Sequence, residues 1–286
     1  MFHGQIRTAQ VLTLLCSAAR IPLEGVVSVI ALLTDFGTED GYVGAMHGVI
    51  LRINPRATIV DVCHDIPAQD VHAAAFVLST LYPYFPTNAI HVVVVDPGVG
   101  TERRAIALRT ARGVFVAPDN GVLSYVFAVE PVEELVQLTN PSYWLSPLSA
   151  TFHGRDLFAP VAAHLSLGVP LCQMGPPLSR PMRFEVAAVQ VGEDGAIVGK
   201  VVHIDRFGNL ITNVPASCLP ANQMVCVRVA DRTIVGPSKT YGVSADSGLL
   251  ALIGSSGYLE IALRNGSAAA ALRTGRGAQV VVRLAS

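Results

Sequence analysis

A chain of 286 residues, 51% hydrophobic and 14% charged with a formal net charge of -1, is long enough for one or two folded domains. This composition excludes an intrinsically disordered chain. The balanced charge offers no basic surface for nucleic acid or an anionic membrane, so neither is expected as a partner. Because the surface is sparsely charged, apolar area is expected to be buried between subunits of a homo-oligomer.

The cysteines favour a reducing compartment. Their number is odd and no two have CxxC spacing, which predicts neither a zinc site nor a disulfide framework and favours a cytoplasmic location; they are Cys16, Cys63, Cys172, Cys218 and Cys226. Residues 1–27 contain a short apolar run without a clear cleavage site, and we predict a peripheral N-terminal extension. No stretch elsewhere is long and apolar enough to span a membrane.

The first half of the chain alternates between strand and helix patterns. Strands are predicted at 28–34, 58–63 and 90–95, and helices at 39–53 and 71–82. This alternation implies right-handed crossovers and a mainly parallel sheet. A strand pair broken at Gly113, a strand at 133–138 and a helix at 157–167 complete a predicted α/β domain over residues 28–185.

The pattern changes after a proline-rich linker. Short β-rich runs separated by glycine and polar turns predict a smaller all-β, barrel-like domain over residues 186–286; the runs are 187–191, 197–204, 209–213, 224–229, 249–253, 258–263 and 280–284.

Two predicted strands deliver a carboxylate to the same sheet edge. Asp35 follows the first strand and Asp96 the third, at the carboxyl ends where α/β proteins bind small ligands. Gly98 and Gly100 allow a tight turn after Asp96. This turn is expected to bring the permanently charged side chain of Arg103 back near the Asp96 carboxylate. A common turn with a structural Asp–Arg ion pair is the alternative interpretation.

Six motifs in chain order carry a family resemblance. They are LTDFG at 33–37, DPGVGTERR at 96–104, PDNG at 118–121, TFHGRD at 151–156, DRFGN at 205–209 and GSSGY at 254–258. In these motifs the chain resembles the S-adenosyl-L-methionine (SAM) hydroxide adenosyltransferases, SAM hydrolases related to fluorinating and chlorinating enzymes. The resemblance implies a homotrimer, with each active site between the N-terminal domain of one subunit and the C-terminal domain of the next.

The resemblance also implies the reaction and its catalytic residues. Water or hydroxide would attack the ribose 5′ carbon of SAM and release adenosine and L-methionine, with SAM as substrate and with no cofactor or metal. The matching catalytic positions are Asp96, which would orient the water, Arg103, which would hold that carboxylate, and His153, which would accept or relay the proton. A carboxylate beside an arginine is a weak base, which favours His153 as the acceptor.

The same resemblance implies substrate-binding residues. Asp35 suits the ribose hydroxyls, because a carboxylate can accept two hydrogen bonds. Asp205 matches the position for the methionine ammonium, Asn209 suits an adenine edge, and Ser255 suits the methionine carboxylate. Tyr258 faces either the ligand or the core.

Three other functions are open alternatives. Halogenating relatives carry tyrosine at the position of Asp96 and Tyr-Ser at that of His153 and Gly154, and a carboxylate would repel a halide. A metal-dependent hydrolase would use Asp156 with Asp35, Asp96 and His153. A non-catalytic sensor of SAM or adenosine would have no need for a water-activating trio. Residues 119 and 120 are expected to form only a turn.

Overall fold

The computed structural model describes residues 29–221, 223–242 and 248–285. The predicted peripheral extension, residues 1–27, lies outside the described residues. The chain divides between Phe184 and Glu185 into two compact units.

The first unit is built on a six-stranded mixed sheet. In chain order its elements are β1 Val29–Thr34, α1 Tyr42–Ile53, β2 Thr58–Cys63, α2 Val71–Leu81, β3 Ile90–Val94, β4 Ala105–Thr110, β5 Gly113–Pro118, α3 Ser124–Val129, β6 Glu134–Gln137 and α4 Ala159–Ser166. The strand order is β2-β1-β3-β5-β4-β6. Strands β2, β1, β3 and β5 run parallel, while β4 is antiparallel to β5 and β6.

The apolar runs form the central strands because both sheet faces are covered. Ile30 and Leu32 of β1 pack with α1 and α4 on one face, whereas Leu33 packs with α2 and α3 on the other. All five residues of β3 are buried. A strand covered on both sides has no solvent face to carry polar residues, which explains why four of its five residues are Ile or Val and why its one polar residue, His91, is buried.

The observed starts of the helices differ from the predicted starts to different degrees. Helix α1 begins at Tyr42, three residues later than predicted, after Gly41, which provides no side-chain cap. Helix α2 begins after Asp70, whose carboxylate accepts the backbone N–H of Ala73 at 2.9 Å. The helix predicted at 157–167 begins earlier, as a π-helical turn at Gly154–Phe158.

The second unit is an antiparallel, nearly closed sheet, which together with the first unit confirms the predicted fold class. Its order is β11-β10-β14-β8-β9-β13-β12, with β7 paired to β8. The two edge strands of this order, β11 and β12, approach each other where Ser238, just after β11, donates its backbone N–H to the backbone oxygen of Ala251 in β12 at 2.7 Å. The elements are β7 Gln190–Val191, β8 Ile197–Ile204, β9 Leu210–Pro215, β10 Val225–Val229, β11 Arg232–Gly236, β12 Leu249–Ile253, β13 Tyr258–Leu263, α5 Ala268–Leu272 and β14 Gln279–Leu284.

Strand β11 and helix α5 of this unit were not predicted from the sequence. Strand β11 buries only Ile234 and Gly236, so its apolar alternation is short. Helix α5 has five residues, too few for a helical repeat to appear in the sequence, and its cap Ser267 accepts the N–H of Ala270. In the part of the chain that the structure describes, no helix is long and apolar enough to cross a membrane.

Candidate active site

The topology brings the two predicted carboxylates to one edge of the sheet. Strand β1 lies between β2 and β3: the chain passes from β1 to β2 through α1, and from β2 past β1 to β3 through α2 on the other face of the sheet. The strand order therefore reverses at β1, and α/β sheets bind small ligands at the carboxyl ends of strands beside such a reversal. Thr34 at the end of β1 pairs with Val94 at the end of β3. Asp35 and Asp96 follow these paired residues by one and two positions, which confirms that both lie at the carboxyl edge.

Arg103 holds Asp96 in a fork-like contact. Its Nε lies 2.9 Å from both carboxylate oxygens of Asp96, and its Nη2 lies 2.5 Å from Oδ2. The two side chains are only 11% and 5% exposed, for Arg103 and Asp96 respectively. The guanidinium also lies over the ring of Phe158, 5.4 Å from its centroid. These contacts fix the plane of the Asp96 carboxylate and keep its charge compensated.

The same guanidinium reaches His153. Arg103 Nη2 lies 2.7 Å from Nδ1 of His153, fifty residues further along the chain. A guanidinium has no acceptor, so Nδ1 must accept this hydrogen bond and the neutral ring carries its hydrogen on Nε2. Asp96, Arg103 and His153, here called the catalytic trio, are therefore one connected group.

The environment of His153 favours the neutral ring. Burial lowers the pKa of His153, and the positive charge of Arg103 lowers it further. The carboxylates of Asp96 and Asp156 oppose this effect without reversing it. His153 is thus uncharged at neutral pH, the form that can receive a proton.

The loop between β3 and β4 closes against the segment that carries His153. Gly100 adopts φ +77°, and a Cβ added there would collide with the backbone oxygen of Ala150. Glycine is required both by this conformation and by the close approach. The contact brings residues 96–104 alongside the segment that leads into His153.

Asp35 is held by a loop that the sequence patterns did not identify. Its Oδ2 accepts the backbone N–H of Gln69 at 2.7 Å, and Gln69 adopts φ +65°. Behind it, Thr34 Oγ1 lies 2.8 Å from Nδ1 of His64, and the backbone oxygen of His64 accepts the N–H of Gly37 at 2.8 Å. These contacts fix the turn that presents the Asp35 carboxylate.

An aromatic cluster stands next to His153. Phe36, Tyr42 and Phe152 make mutual ring contacts with centroids 5.1 to 5.8 Å apart. A Cβ at Gly154 would lie 3.1 Å from Phe36 and 3.2 Å from Phe152. Even the smallest side chain at position 154 would therefore require these two rings to shift by a few tenths of an ångström.

Arg155 and Asp156 form a local ion pair next to His153. Arg155 donates to Asp156 at 2.6 and 3.0 Å, and Ser149 adds a backbone N–H at 2.9 Å. Burial alone would raise the pKa of Asp156, but these hydrogen bonds outweigh burial and lower it. The carboxylate supports the loop around His153.

Among the described residues, no cluster of three or more His, Cys, Asp or Glu is arranged to hold a metal ion.

The remaining predicted ligand residues lie in the second unit. Asp205 closes the turn between β8 and β9, where its Oδ1 accepts the backbone N–H groups of Phe207 and Asn209. Its Oδ2 accepts the side-chain amide of Asn209 at 2.9 Å. Ser255 is exposed on the turn between β12 and β13, and Tyr258 is half-buried at the first position of β13.

Glu260 is a buried carboxylate within the strand predicted at 258–263, and no functional role was predicted for it. Tyr241 donates its hydroxyl to Oε1 at 2.7 Å, and the other oxygen lies against Gly254 of the β12–β13 turn. Burial raises the pKa of Glu260, and the charge of Asp205 raises it further. The sequence feature that could have identified it is a charged residue in the middle of the otherwise apolar strand β13.

Two family models match the chain over most of its length. The SAM hydroxide adenosyltransferase N-terminal domain matches residues 30–175, and the C-terminal domain of the same family matches residues 199–281. The chain belongs to the SAM hydroxide adenosyltransferase family.

The chain is also similar to individual proteins over most of its length. An (R)-S-adenosyl-L-methionine hydrolase of Salinispora arenicola is 42% identical over 88% of this chain and 97% of the relative. A crystal structure of an uncharacterised conserved protein from Thermotoga maritima has 37% identity and a TM-score of 0.83, covering 88% of this chain and 99% of that chain. A fluorinase of Nocardia brasiliensis is 31% identical over 65% of this chain and 71% of the relative.

Proposed function

We propose that this SAM hydroxide adenosyltransferase family member hydrolyses S-adenosyl-L-methionine to adenosine and L-methionine. The observation that carries the proposal is the position of Arg103, whose guanidinium contacts both the Asp96 carboxylate and His153 Nδ1. Hydrolases of this family with about 40% identity over most of the chain support the same reaction.

The chemistry requires an activated water more than an activated leaving group. Attack of the water oxygen on the ribose 5′ carbon forms a C–O bond and breaks the C–S bond of the sulfonium. The sulfur leaves with the bonding electron pair as the neutral thioether of methionine, so it needs neither a proton nor a metal. One proton of the water is released, and general-base assistance to such a step is worth about 10²–10⁴-fold.

Asp96 is the group we assign to water orientation. Its carboxylate is 5% exposed and held on one side by Arg103. A carboxylate offers about four lone-pair positions, which leaves room for a water hydrogen bond beside the contacts from Arg103. Arg103 thereby sets the direction in which Asp96 presents an acceptor to the water.

His153 is the group we assign to proton transfer. In the arrangement described above, its only lone pair receives a hydrogen bond from Arg103. It can take the water proton only when that contact opens, while the remaining contacts of Arg103 keep Asp96 in place. The lowered pKa of His153 keeps the ring neutral at neutral pH, the form that can accept a proton once that contact opens.

Substrate binding is assigned to residues of both units. In the first unit, Asp35 accepts a backbone N–H at Oδ2, which leaves its other oxygen for the ribose hydroxyls. In the second unit, we assign the methionine ammonium to Asp205, the adenine edge to Asn209 and the methionine carboxylate to Ser255. Tyr258, which is half-buried at the start of β13, is assigned to the same part of the substrate.

We also propose that the active protein is a homotrimer whose sites lie at subunit interfaces. The proposal rests on the division of the assigned residues between two units and on the sparse surface charge, since 14% of the residues are charged. A cytoplasmic location, suggested by the cysteine spacing, is proposed with it and is tested by cell fractionation.

Halogenation is the second candidate, and two local features oppose it. The Asp96 carboxylate stands where halogenating relatives have tyrosine, and an anion there repels a halide. Gly154 stands where they have serine, and a Cβ at this position would meet Phe36 and Phe152 at 3.1 and 3.2 Å. The fluorinase relatives are also more distant, at 29–31% identity.

The test is a product assay with purified protein and SAM in chloride-free buffer. Equimolar adenosine and L-methionine are expected, with unchanged rates after exhaustive chelation. Asp96→Asn should abolish turnover, while Asp194→Asn, which breaks an exposed Asp–Arg pair at 2.6 Å in the second unit, should not. Saturable binding without products would support a sensor. A chlorinated nucleoside formed only with added chloride would support a halogenase, and activity lost on chelation a metal-dependent hydrolase.

A further inference from the structure

The turn formed by Asp119 and Asn120 lies between the two ends of the loop that carries Asp96 and Arg103. It follows β5, which is parallel to β3 on one side and antiparallel to β4 on the other. The loop of residues 96–104 leaves β3 and enters β4. The end of β5 is therefore adjacent both to the start and to the finish of that loop.

Asn120 holds the start of the loop. Its Nδ2 donates to the backbone oxygen of Val95 at 2.8 Å, and Val95 directly precedes Asp96. Its Oδ1 accepts the N–H of Val122 at 3.1 Å, which by itself is sufficient to form the turn. The contact with Val95 is additional, and it fixes the backbone from which the Asp96 side chain projects.

Asp119 holds the finish of the loop. Its backbone N–H donates to the oxygen of Arg104 at 2.9 Å, which continues the β4–β5 pairing beyond Ala105. Its Oδ2 lies 2.6 Å from Arg104 Nη2, an ion pair whose angle is not that of a hydrogen bond. The Asp119 side chain is fully buried, and its Oδ1 accepts the N–H of Met182 at 2.7 Å.

We propose that Asp119 and Asn120 are positioning residues that fix the backbone on either side of Asp96 and Arg103 and so set the geometry of the catalytic trio. The inference rests on the proposed function, and it changes the interpretation of these two residues, which the sequence alone suggested to be only a turn. Neither residue needs to contact the substrate. Both act through the residues next to Asp96 and Arg103.

The test uses Asn120→Ser and a matched control. Serine keeps an oxygen acceptor for the turn but is too short to reach the Val95 carbonyl. Asn140→Ser is the control, because Asn140 also accepts the N–H of the residue two positions on at 3.1 Å and donates to a backbone oxygen at 2.8 Å. That oxygen belongs to Gln173, which is not next to any member of the trio.

Two measurements separate positioning from simple stabilisation. The first is the kinetics of adenosine release well below the melting temperature of each variant. The second is the ¹⁵N spectrum of the His153 ring without substrate, assigned by its absence in His153→Gln, which reports whether Nδ1 still accepts from Arg103.

Asn120→Ser is expected to lower kcat about ten- to hundredfold with KM nearly unchanged, because small displacements of reacting groups have effects of this size. The His153 ring signals should change as well, and Asn140→Ser should match the wild type in both. If Asn120→Ser and Asn140→Ser behave alike in the spectrum and in kcat, the inference is wrong. If the wild type releases no adenosine, the proposed function fails, and the His153 spectrum still decides the positioning.

Should Asn120→Ser fail to fold, Asn120→Asp serves in its place. It keeps the size and the turn acceptor and replaces only the donor that faces Val95. Asp119→Asn tests the other arm, because it retains an oxygen for Met182 and removes the charge that faces Arg104. Its kcat should fall in the same way, and a wild-type kcat in a folded Asp119→Asn would remove Asp119 from the inference.

Discussion

At the scale of single residues, the chemistry of the site depends on which side-chain atoms already make hydrogen bonds within the protein. Arg103 satisfies both oxygens of Asp96 and the Nδ1 of His153 with two of its nitrogen atoms. A lysine could supply the charge but not this planar set of donors. The protonation state of His153 is therefore determined by its neighbours as well as by the solvent.

The pH dependence of turnover should report this state of His153. Because burial and Arg103 lower its pKa, the ring stays neutral until the pH falls below the ordinary histidine value of about 6.5. We expect kcat to be constant near neutrality and to fall only at a pH below that value. The measurement is kcat against pH from 4.5 to 8.5.

The control for this profile is His164→Gln. His164 is another half-buried histidine of the first unit, and burial lowers its pKa also, but it contacts Tyr143 rather than Arg103. The acid limb should persist in His164→Gln, whereas His153→Gln should have a low kcat without that limb. An acid limb centred above pH 6.5 in the wild type would contradict the assignment.

At the scale of elements, two loops must meet for the trio to form. Residues 96–104 provide Asp96 and Arg103, and the segment before the π-helical turn Gly154–Phe158 provides His153. Besides the contact between Arg103 and His153, the backbones of the two segments approach each other at Gly100 and Ala150. The trio is thus sensitive to a residue that has no polar side chain.

Gly100→Ala should disrupt this contact. The substitution places a Cβ at φ +77° and against the Ala150 oxygen, so the loop must move away from the segment that carries His153. We expect a loss of folding free energy of more than ~1 kcal/mol and a fall in kcat of about 10²-fold. Urea unfolding and adenosine release measure the two effects.

Gly195→Ala separates strain from displacement. Gly195 has a similar φ of +74°, but within the described residues nothing lies within 4 Å of its added Cβ. This variant should lose roughly 1 kcal/mol of stability with kcat unchanged. Equal kcat values for the two alanine variants would show that the loop contact does not matter for catalysis.

The buried histidine of strand β3, His91, leads to a separate prediction about how stability depends on pH. His91 is 2% exposed, stacks on Phe115 at 5.0 Å, and its Nε2 has no hydrogen-bond partner in the described part of the chain. Burial lowers its pKa to about 4. The unfolded chain binds this proton near pH 6.5 and the folded protein does not, so acid favours unfolding between these values, by roughly 3 kcal/mol in total.

His91→Phe should remove that contribution. Phenylalanine retains the stacking on Phe115 and cannot bind a proton, so the free energy of unfolding should fall less steeply between pH 6.5 and 4 than in the wild type. Urea titrations at several pH values provide the comparison. Parallel pH curves for the two proteins would show that His91 does not carry this acid sensitivity.

At the scale of the whole molecule, the sequence predicted more of the framework than of the contacts. The apolar runs of β1 and β3 predicted buried parallel strands, and the strand order then placed Asp35 and Asp96 at one edge. The contact between Arg103 and His153 could be expected only from the family resemblance, because fifty residues of chain separate them. No local pattern encodes a contact of that range.

Other contacts escaped prediction because they depend on backbone conformation. The N–H of Gln69 reaches Asp35 because Gln69 adopts φ +65°. Glutamine rarely adopts this left-handed conformation, so its presence in the sequence does not predict the contact. Asn120 was expected to form a turn, and it does so through Oδ1, but its second contact with Val95 needs the neighbouring end of β3. Such contacts follow from the packed sheet rather than from the turn itself.

The proposed shared site predicts that two inactive subunits can restore activity. Asp96→Ala damages the first unit and Asp205→Ala the second, so each protein alone should be inactive. When both are co-expressed, random association in a trimer gives an intact pair of units at about a quarter of the interfaces, with that share of the wild-type activity. Light scattering gives the subunit number. No recovered activity in the mixed trimers would place both units of a site in one chain.

The most direct test of the central claim is the fate of the water oxygen. Hydrolysis is run in water enriched in ¹⁸O, and the adenosine is analysed by mass spectrometry, with the label located by fragmentation. Attack of the oriented water on the ribose 5′ carbon predicts one ¹⁸O atom in the 5′ hydroxyl of adenosine and none in L-methionine. Adenosine without the label at this position would contradict the mechanism centred on Asp96, Arg103 and His153.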